Sequence, residues 1–210
     1  MSLTAHSVRH RYSPAGPPVL DGVDFEVETG SSVALTGPSG SGKSTFLAIL
    51  GGLTQPTHGE VMVDGQPVVR LSSTFGWVFQ ANNALGRRTA LDNVTLPLLA
   101  RGAERRSVEP EACHLLELVG LGTRIEAVAR SLSGGELQRV CIARAMATQP
   151  SVVLADEPTG QLDATTSGLV LDALWAALPG STTLVVATHD QTVASRCDRV
   201  VQISDGKLVE

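Results

Sequence analysis

The chain has 210 residues, of which 42% are hydrophobic and 18% are charged, and this composition excludes both an intrinsically disordered protein and a fibrous repeat. A length of this order corresponds to one domain with a sizeable core. The formal net charge of −5 argues against a nucleic-acid-binding protein, because such proteins normally present a basic face.

The first residues contain no apolar core of a signal peptide, and no apolar run approaches the roughly 18 residues that a membrane span needs. We therefore expect a soluble, cytoplasmic protein. The three cysteines, Cys113, Cys141 and Cys197, are far apart and form no C-x-x-C pair, which favours neither a zinc site nor a disulfide framework. Buried free thiols are the expectation.

The first third of the chain predicts strands and one helix. Residues 3–10, 22–27 and 60–63 are short alternating segments, and the Asp64-Gly65 pair after the third predicts a hairpin turn. Residues 31–36 are a compact apolar segment, typical of a buried strand, that runs into a glycine-rich loop. A helix is predicted to begin at Lys43 and to end by the two glycines at 51–52.

Residues 81–149 have a helical character. Helices are predicted at 89–99, 107–119 and 137–148, with Ser107 as the N-cap of the second helix and Pro110 in its first turn. Strands return at 152–155, 182–188 and 199–203, and they alternate with a helix at 164–178. This alternation predicts an α/β fold with a parallel sheet buried on both faces. The predicted core spans about 1–80 and 150–210, and the inserted helical subdomain spans about 81–149.

The glycine-rich loop fits the pattern G-x-x-x-x-G-K-[ST] and lies between a predicted strand and a predicted helix, as that motif requires. Its glycines allow successive backbone N–H groups to surround phosphate oxygens at the helix N-terminus. Lys43 would contact the β- and γ-phosphates, and the Ser44 hydroxyl would bind Mg²⁺. The candidate phosphate-binding residues are Gly37, Pro38, Ser39, Gly40, Ser41, Gly42, Lys43, Ser44 and Thr45.

Two further segments carry candidate chemistry. The apolar strand at 152–155 runs into Asp156 and Glu157, so that Asp156 can face Mg²⁺ and Glu157 can face an attacking water. Two adjacent acids otherwise usually mark a solvated turn. Ser133 and Glu136 have the spacing of a capping box around two glycines, which fits either a capped helix or an anion site at a helix N-terminus.

These motifs, in this order, resemble the nucleotide-binding domain of ATP-binding cassette (ABC) transporters over essentially the whole chain, and the Leu132-Ser133-Gly134-Gly135 sequence is specific to that family. The resemblance implies a P-loop NTPase (RecA-like) core with an N-terminal antiparallel β region and an inserted helical subdomain. It also implies an ATPase that binds ATP and Mg²⁺ as a head-to-tail dimer around two ATP molecules.

The same resemblance implies a role for each candidate residue. Glu157 would be the general base, His189 would contact the γ-phosphate, Lys43 would bind the phosphates, and Gln80 would sense Mg²⁺. Tyr12 corresponds to the aromatic that stacks on adenine in the family. The implied nucleotide contacts further include Ser133, Gly134, Gly135, Glu136 and Asp163, and the implied Mg²⁺ ligands are Ser44, Gln80 and Asp156.

Residues 76–80, 89–99 and 155–160 are similar to the lipoprotein-releasing and macrolide-export group of the family. This similarity implies a separate membrane permease that docks near Gln80 and the helical subdomain. It also implies that the ATPase is held at the inner face of the membrane and that transport is outward. Residues 81–88 lack the apolar-proline segment that is common at this position in the family. The transported substrate stays open.

Two alternatives remain. One is an ABC ATPase that moves a membrane partner for mechanical signalling without cargo. The other is a soluble ABC ATPase of DNA repair, chromosome organisation or translation. The second is disfavoured because only 96 positions separate Gly37 from Ser133, which leaves no room for a long coiled coil, and because the chain has one cassette and no C-x-x-C pair.

Overall fold

The computed structural model describes residues 2–70 and 74–209. The chain divides into two compact units. The first contains residues 1–75, 151–157 and 181–210, and the second contains residues 76–150 and 158–180. Residues 158–180 therefore belong with the helical part of the chain, whereas the sequence boundaries assign them to the core. Among the described residues, no helix is long and apolar enough to cross a membrane.

The first unit contains an antiparallel sheet made of β1 (Ser2–His10), β2 (Leu20–Glu28), β4 (His58–Val63) and β5 (Gln66–Pro67), in the order β2-β1-β4-β5. The predicted hairpin is confirmed: Val63 pairs with Gln66, and both Asp64 and Gly65 have positive φ, at 53° and 72°. Two successive positive φ angles define the type I′ turn that matches the twist of the flanking strands.

The same unit contains a second sheet, in which β3 (Ser32–Thr36), β7 (Val152–Asp156), β8 (Thr183–Ala187) and β9 (Arg199–Ser204) are parallel. The strand β10 (Lys207–Val209) pairs antiparallel with β9, and the order is β10-β9-β3-β8-β7. Every residue of β8 is buried, as expected for a parallel strand covered on both faces. The unit also contains α1 (Lys43–Leu50) and α6 (Gln191–Ala194). The predicted α/β class with an N-terminal antiparallel region is confirmed.

The second unit is helical, with α2 (Ala90–Leu99), α3 (Arg105–Leu118), α4 (Gly134–Met146) and α5 (Ala164–Ala177). Short 3-10 helices lie at Gly122–Arg124 and Ala129–Ser131, and the strand β6 (Phe75–Val78) leads into this unit. Thr89 caps α2 in a capping box with Asp92. The helix predicted from residue 137 begins earlier, at Gly134, because Ser133 caps it.

The start of α3 corrects one prediction. This helix begins at Arg105 with Glu104 as its N-cap, so Ser107 is not the cap and Pro110 lies in the second turn. The Ser107 hydroxyl instead donates to the Glu104 carbonyl oxygen at 2.7 Å. Arg105 explains the earlier start: its guanidinium contacts Asp92 at 2.7 Å and Glu109 at 2.8 Å, which fixes an additional turn.

The cysteine prediction is only partly correct. All three thiols are free, but Cys141 alone is buried, whereas Cys113 and Cys197 are partly exposed. Burial among its neighbours nevertheless raises the pKa of the Cys197 thiol to about 11. It is therefore a protonated, unreactive thiol at neutral pH.

Candidate functional site

The glycine-rich loop between β3 and α1 owes its shape to two glycines. Gly37 has φ 142°, and a Cβ atom there would lie 2.2 Å from the Ile203 carbonyl oxygen, so no larger residue fits. Gly42 is the N-cap of α1 with φ 106°, a left-handed conformation that glycine adopts without steric cost. A glycine-rich turn of this kind at the start of a helix is the backbone geometry in which N–H groups can surround an anion.

Lys43 lies inside the curve of this loop. Its side chain is buried, with 8% of the residue exposed, and its Nζ donates to the carbonyl oxygens of Gly37 at 2.8 Å and Pro38 at 3.1 Å. A buried ammonium ion needs such partners, since an unpaired charge in the interior is costly. The N–H donors of the same ammonium group are suited to the phosphate oxygens of a nucleoside triphosphate.

Ser44 and Asp156 form an oxygen pair next to this lysine. The Ser44 hydroxyl donates to Asp156 Oδ1 at 3.0 Å, at the carboxyl end of β7. Burial raises the pKa of the Asp156 carboxyl, an effect that the Ser44 hydrogen bond and Lys43 oppose. A hydroxyl and a carboxylate supply oxygen ligands of the kind that Mg²⁺ binds, together with water and phosphate oxygens.

Glu157 turns away from Asp156 although the two are adjacent. Its φ of 44° is in the left-handed region, which is uncommon for a residue other than glycine. Its Oε1 lies 2.8 Å from His189 Nδ1, and its Oε2 accepts weaker bonds of 3.4 Å from the Thr188 hydroxyl and the His189 backbone N–H. The His189 side chain is 69% exposed, so the imidazole extends from the carboxylate into solvent.

Thr188 is a site residue that the sequence analysis did not select. It is fully buried, and its hydroxyl also accepts a hydrogen bond of 3.0 Å from the Asp190 backbone N–H. It therefore ties the end of β8 to the Glu157 carboxylate. Its position directly before His189 is the only signal in the sequence, and that signal has no chemical specificity of its own.

Tyr12 lies close to the loop in space. The residue is 72% exposed, and its hydroxyl is 2.9 Å from the Thr45 Oγ1 atom. An exposed, flat aromatic surface fixed beside a phosphate loop is a suitable platform for a nucleotide base. The first unit thus brings together Tyr12, the loop, Asp156, Glu157 and His189.

The second unit contains the remaining predicted residues. Ser133 and Glu136 form the predicted capping box: the Glu136 N–H donates to Ser133 Oγ at 3.2 Å, and the Ser133 N–H donates to Glu136 Oε2 at 2.8 Å. That backbone hydrogen bond is the main cause of a lowered pKa for Glu136. At Gly135 a Cβ atom would lie 2.2 Å from Thr166 Cγ2 on α5, so a larger residue would force Thr166 to move. The carboxylate of Asp163 is likewise used in a cap, accepting from the Thr166 N–H at 3.0 Å.

Gln80 is exposed two residues after the end of β6, and polar side chains hold the residues around it in place. Gln138 Nε2 on α4 donates to the Phe79 carbonyl oxygen at 3.0 Å, and Arg144 contacts both the side chain and the carbonyl of Asn83. Asn93 Oδ1 on α2 accepts from the Leu85 N–H at 2.6 Å. Sequence reasoning missed these side chains, because an Asn, Gln or Arg in a helix normally faces solvent.

A phosphate loop with a buried lysine, a serine–aspartate pair and a carboxylate–imidazole pair are features of a P-loop nucleotide hydrolase. Residues 20–160 match the family described as ABC transporter, and the chain belongs to this family. It resembles the lipoprotein-releasing system ATP-binding protein LolD of Xanthomonas campestris, with 45% identity over 92% of this chain and 85% of that protein. It is also 46% identical to the macrolide export ATP-binding/permease protein MacB of Rhodopirellula baltica, over 92% of this chain and 30% of that protein.

Solved structures give the same result. The dimeric structure of MJ0796, a bacterial ABC transporter cassette, has a TM-score of 0.87 and 34% identity, over 99% of this chain and 97% of that one. A post-hydrolysis dimer of the same cassette, bound to ADP and Pi, has a TM-score of 0.83 and 35% identity over the same shares of the two chains. The chain is therefore the ATP-binding and ATP-hydrolysing subunit of an ABC transporter.

Proposed function

We propose that two copies of this chain form a head-to-tail dimer around two ATP molecules, with the phosphate loop of one copy facing the Ser133 loop of the other. The dimeric cassettes that resemble the chain support this arrangement. Ser133 and the backbone N–H groups of Gly134 and Gly135 lie at the N-terminus of α4, where the helix dipole favours phosphate. Each copy supplies half of each site, so ATP joins the two copies.

In the proposed hydrolytic step, a water oxygen attacks the γ-phosphorus of ATP. Glu157 accepts a proton from this water, the bond from the γ-phosphorus to the bridging oxygen breaks, and ADP and phosphate form. The observation that carries this role is the 2.8 Å contact between Glu157 Oε1 and His189 Nδ1. It orients the carboxylate and leaves Nε2 of His189 for the γ-phosphate. Lys43 stabilises the charge on the transferred phosphoryl group.

Other candidate residues bind or position the nucleotide. Ser44 and Asp156 would hold Mg²⁺, which supplies positive charge to the β- and γ-phosphates when bound. Tyr12 would stack on adenine. Glu136 and Asp163 act indirectly in this proposal, because hydrogen bonds within their caps already occupy their carboxylates.

The membrane partner is proposed to dock on the coupling segment, defined as residues 80–89, and on α2. Leu85 and Leu96 are exposed apolar side chains there, as an apolar contact requires. The hydrogen bonds from Arg144 to Asn83 and from Asn93 to Leu85 join this segment to α4 and α2. Arg144 lies in the last turn of α4, so α4 would have to move as a rigid helix to carry a displacement of the segment to its Ser133 end. The chain would be held at the inner face of the membrane in this way, and the names of the relatives LolD and MacB favour outward transport.

The test is to trap the assembly in its own host. Tagged Glu157→Gln protein is expressed, held with ATP, extracted from membranes and analysed for proteins that co-purify. Recovery of a membrane permease supports the proposal, and a Leu85→Asp, Leu96→Asp variant should lose that permease while still binding ATP. Recovery of soluble partners alone would contradict it.

A further inference from the structure

His10 is an unusual residue in the first unit. It is the last residue of β1, only 7% of it is exposed, and neither Nδ1 nor Nε2 has a hydrogen-bond partner among the described residues. Burial of a polar group without a partner lowers stability. A leucine at this position would fill similar space without that cost, so the imidazole needs another explanation.

The ring of His10 contacts the ring of Tyr12. Their centroids are 4.9 Å apart, and the two planes are at 87° to each other, which is the T-shaped arrangement that aromatic pairs favour. On the other side, the Tyr12 hydroxyl is bonded to Thr45 of the phosphate loop. Two contacts, one at the ring and one at the hydroxyl, thus fix a tyrosine that is otherwise exposed to solvent.

Hydrogen bonds hold the backbone around His10 in place, so the buried imidazole gives the Tyr12 ring a fixed surface to pack against. The Val19 N–H donates to the His10 carbonyl oxygen at 2.8 Å, and the Thr57 N–H donates to the Arg9 carbonyl oxygen, also at 2.8 Å. Tyr12 lies two residues beyond, in the loop that follows β1. An exposed side chain in a loop would otherwise populate several rotamers, and binding of a base would restrict it to one of them at a cost in conformational entropy.

We propose that His10 is a positioning residue that holds the Tyr12 ring in the orientation needed for base stacking. The proposal rests on the proposed role of Tyr12. His10 does not contact the nucleotide. It reduces the conformational freedom that Tyr12 loses on binding, and an aromatic ring is retained at position 10 for that reason, although its buried nitrogens lower stability.

The experiment compares the affinity of purified full-length variants for ATP and for inorganic triphosphate, which has no base. We expect His10→Leu to weaken ATP binding about two- to ten-fold, the range of an aromatic pair of this geometry, and to leave triphosphate binding unchanged. Its melting temperature should be equal or higher, because no hydrogen bond is lost. His10→Phe retains a ring and should preserve ATP affinity. His6→Leu, at an exposed position on the same strand, is the matched control.

A second readout follows from the fact that Tyr12 is the only tyrosine. Tyrosine labelled with ¹³C gives one set of ring signals, and in His10→Leu without nucleotide these should move toward the values of a freely rotating ring. Normal ATP binding by His10→Leu, with Tyr12→Ala weakened, would overturn the inference alone. Equal loss for ATP and triphosphate would also overturn it, as a general structural effect. Unchanged ATP binding by Tyr12→Ala would overturn the role of Tyr12 itself.

Discussion

The replacement Glu157→Gln tests the proposed chemistry most directly. Glutamine has almost the same size as glutamate, and its remaining carbonyl oxygen can still accept a hydrogen bond, but it cannot accept a proton from water. A general base typically contributes a factor of about 100 to 10,000 to the rate, equivalent to about 2.7 to 5.4 kcal/mol of barrier. We therefore expect the turnover number to fall by at least about 100-fold.

The same replacement should leave ATP binding intact, because the hydrogen-bond partners of the Glu157 carboxylate among the described residues are His189 and Thr188, which lie outside the phosphate loop. The contacts of the carboxylate with His189 and Thr188 are weakened, and each costs on the order of 1 kcal/mol of folding stability or less. With ATP present but not hydrolysed, the protein should accumulate as a dimer.

Three measurements check this prediction: phosphate release under saturating ATP, ATP affinity by calorimetry, and molecular mass with and without ATP. His189→Ala is the comparison, since it removes the partner of the carboxylate but leaves the base. Turnover by Glu157→Gln within about two-fold of the unaltered protein would refute the assignment of the base. A large loss of ATP affinity would show that Glu157 acts on binding.

Three other replacements test separate parts of the site. Lys43→Ala should lower ATP affinity at least about ten-fold by calorimetry, because it removes the buried charge of the loop. Burial raises the pKa of the Asp156 carboxyl, so the folded protein binds the carboxyl proton more tightly than the unfolded chain does. The protein therefore loses stability as the pH rises above the pKa that Asp156 has in the unfolded chain. Asp156→Asn should therefore melt higher at pH 7, with a gain that disappears in acid, while Mg²⁺-dependent hydrolysis is lost. Gly135→Ala forces a methyl group against α5 and should cost about 1–3 kcal/mol in urea unfolding, whereas Gly134→Ala, with 3.5 Å to its nearest neighbour, should cost less.

The features that sequence could predict are local ones. The hairpin at Asp64 and Gly65 follows from residues that tolerate positive φ, and the Ser133–Glu136 cap follows from a spacing of three residues. The loop at 37–45 is equally local, because its glycines, lysine and hydroxyl are consecutive. In each case the interacting groups are only a few positions apart, so the local sequence pattern is enough to predict the contact.

Other features depend on residues that are distant in the chain. Glu157 and His189 are 32 positions apart, and they meet because β7 and β8 are parallel with Asp156 opposite Ala187. The early start of α3 similarly depends on Arg105 meeting Asp92, 13 positions earlier. Register and helix packing decide such contacts, and neither can be read from a short segment. The same applies to the bond from Arg144 to Asn83.

Glu157 in the proposed nucleotide site and His10 beside it each adopt a locally unfavourable state. Glu157 has a positive φ, which costs about 1–3 kcal/mol for a residue other than glycine, and His10 is buried without a hydrogen-bond partner among the described residues. The φ of Glu157 has a clear benefit, because it turns adjacent carboxylates to different partners: Asp156 to Ser44 and Glu157 to His189. A glycine at 157 would remove the strain and the base together. In our proposal the buried ring of His10 has a benefit too, because it positions Tyr12. Departures from local preference persist where they serve a site.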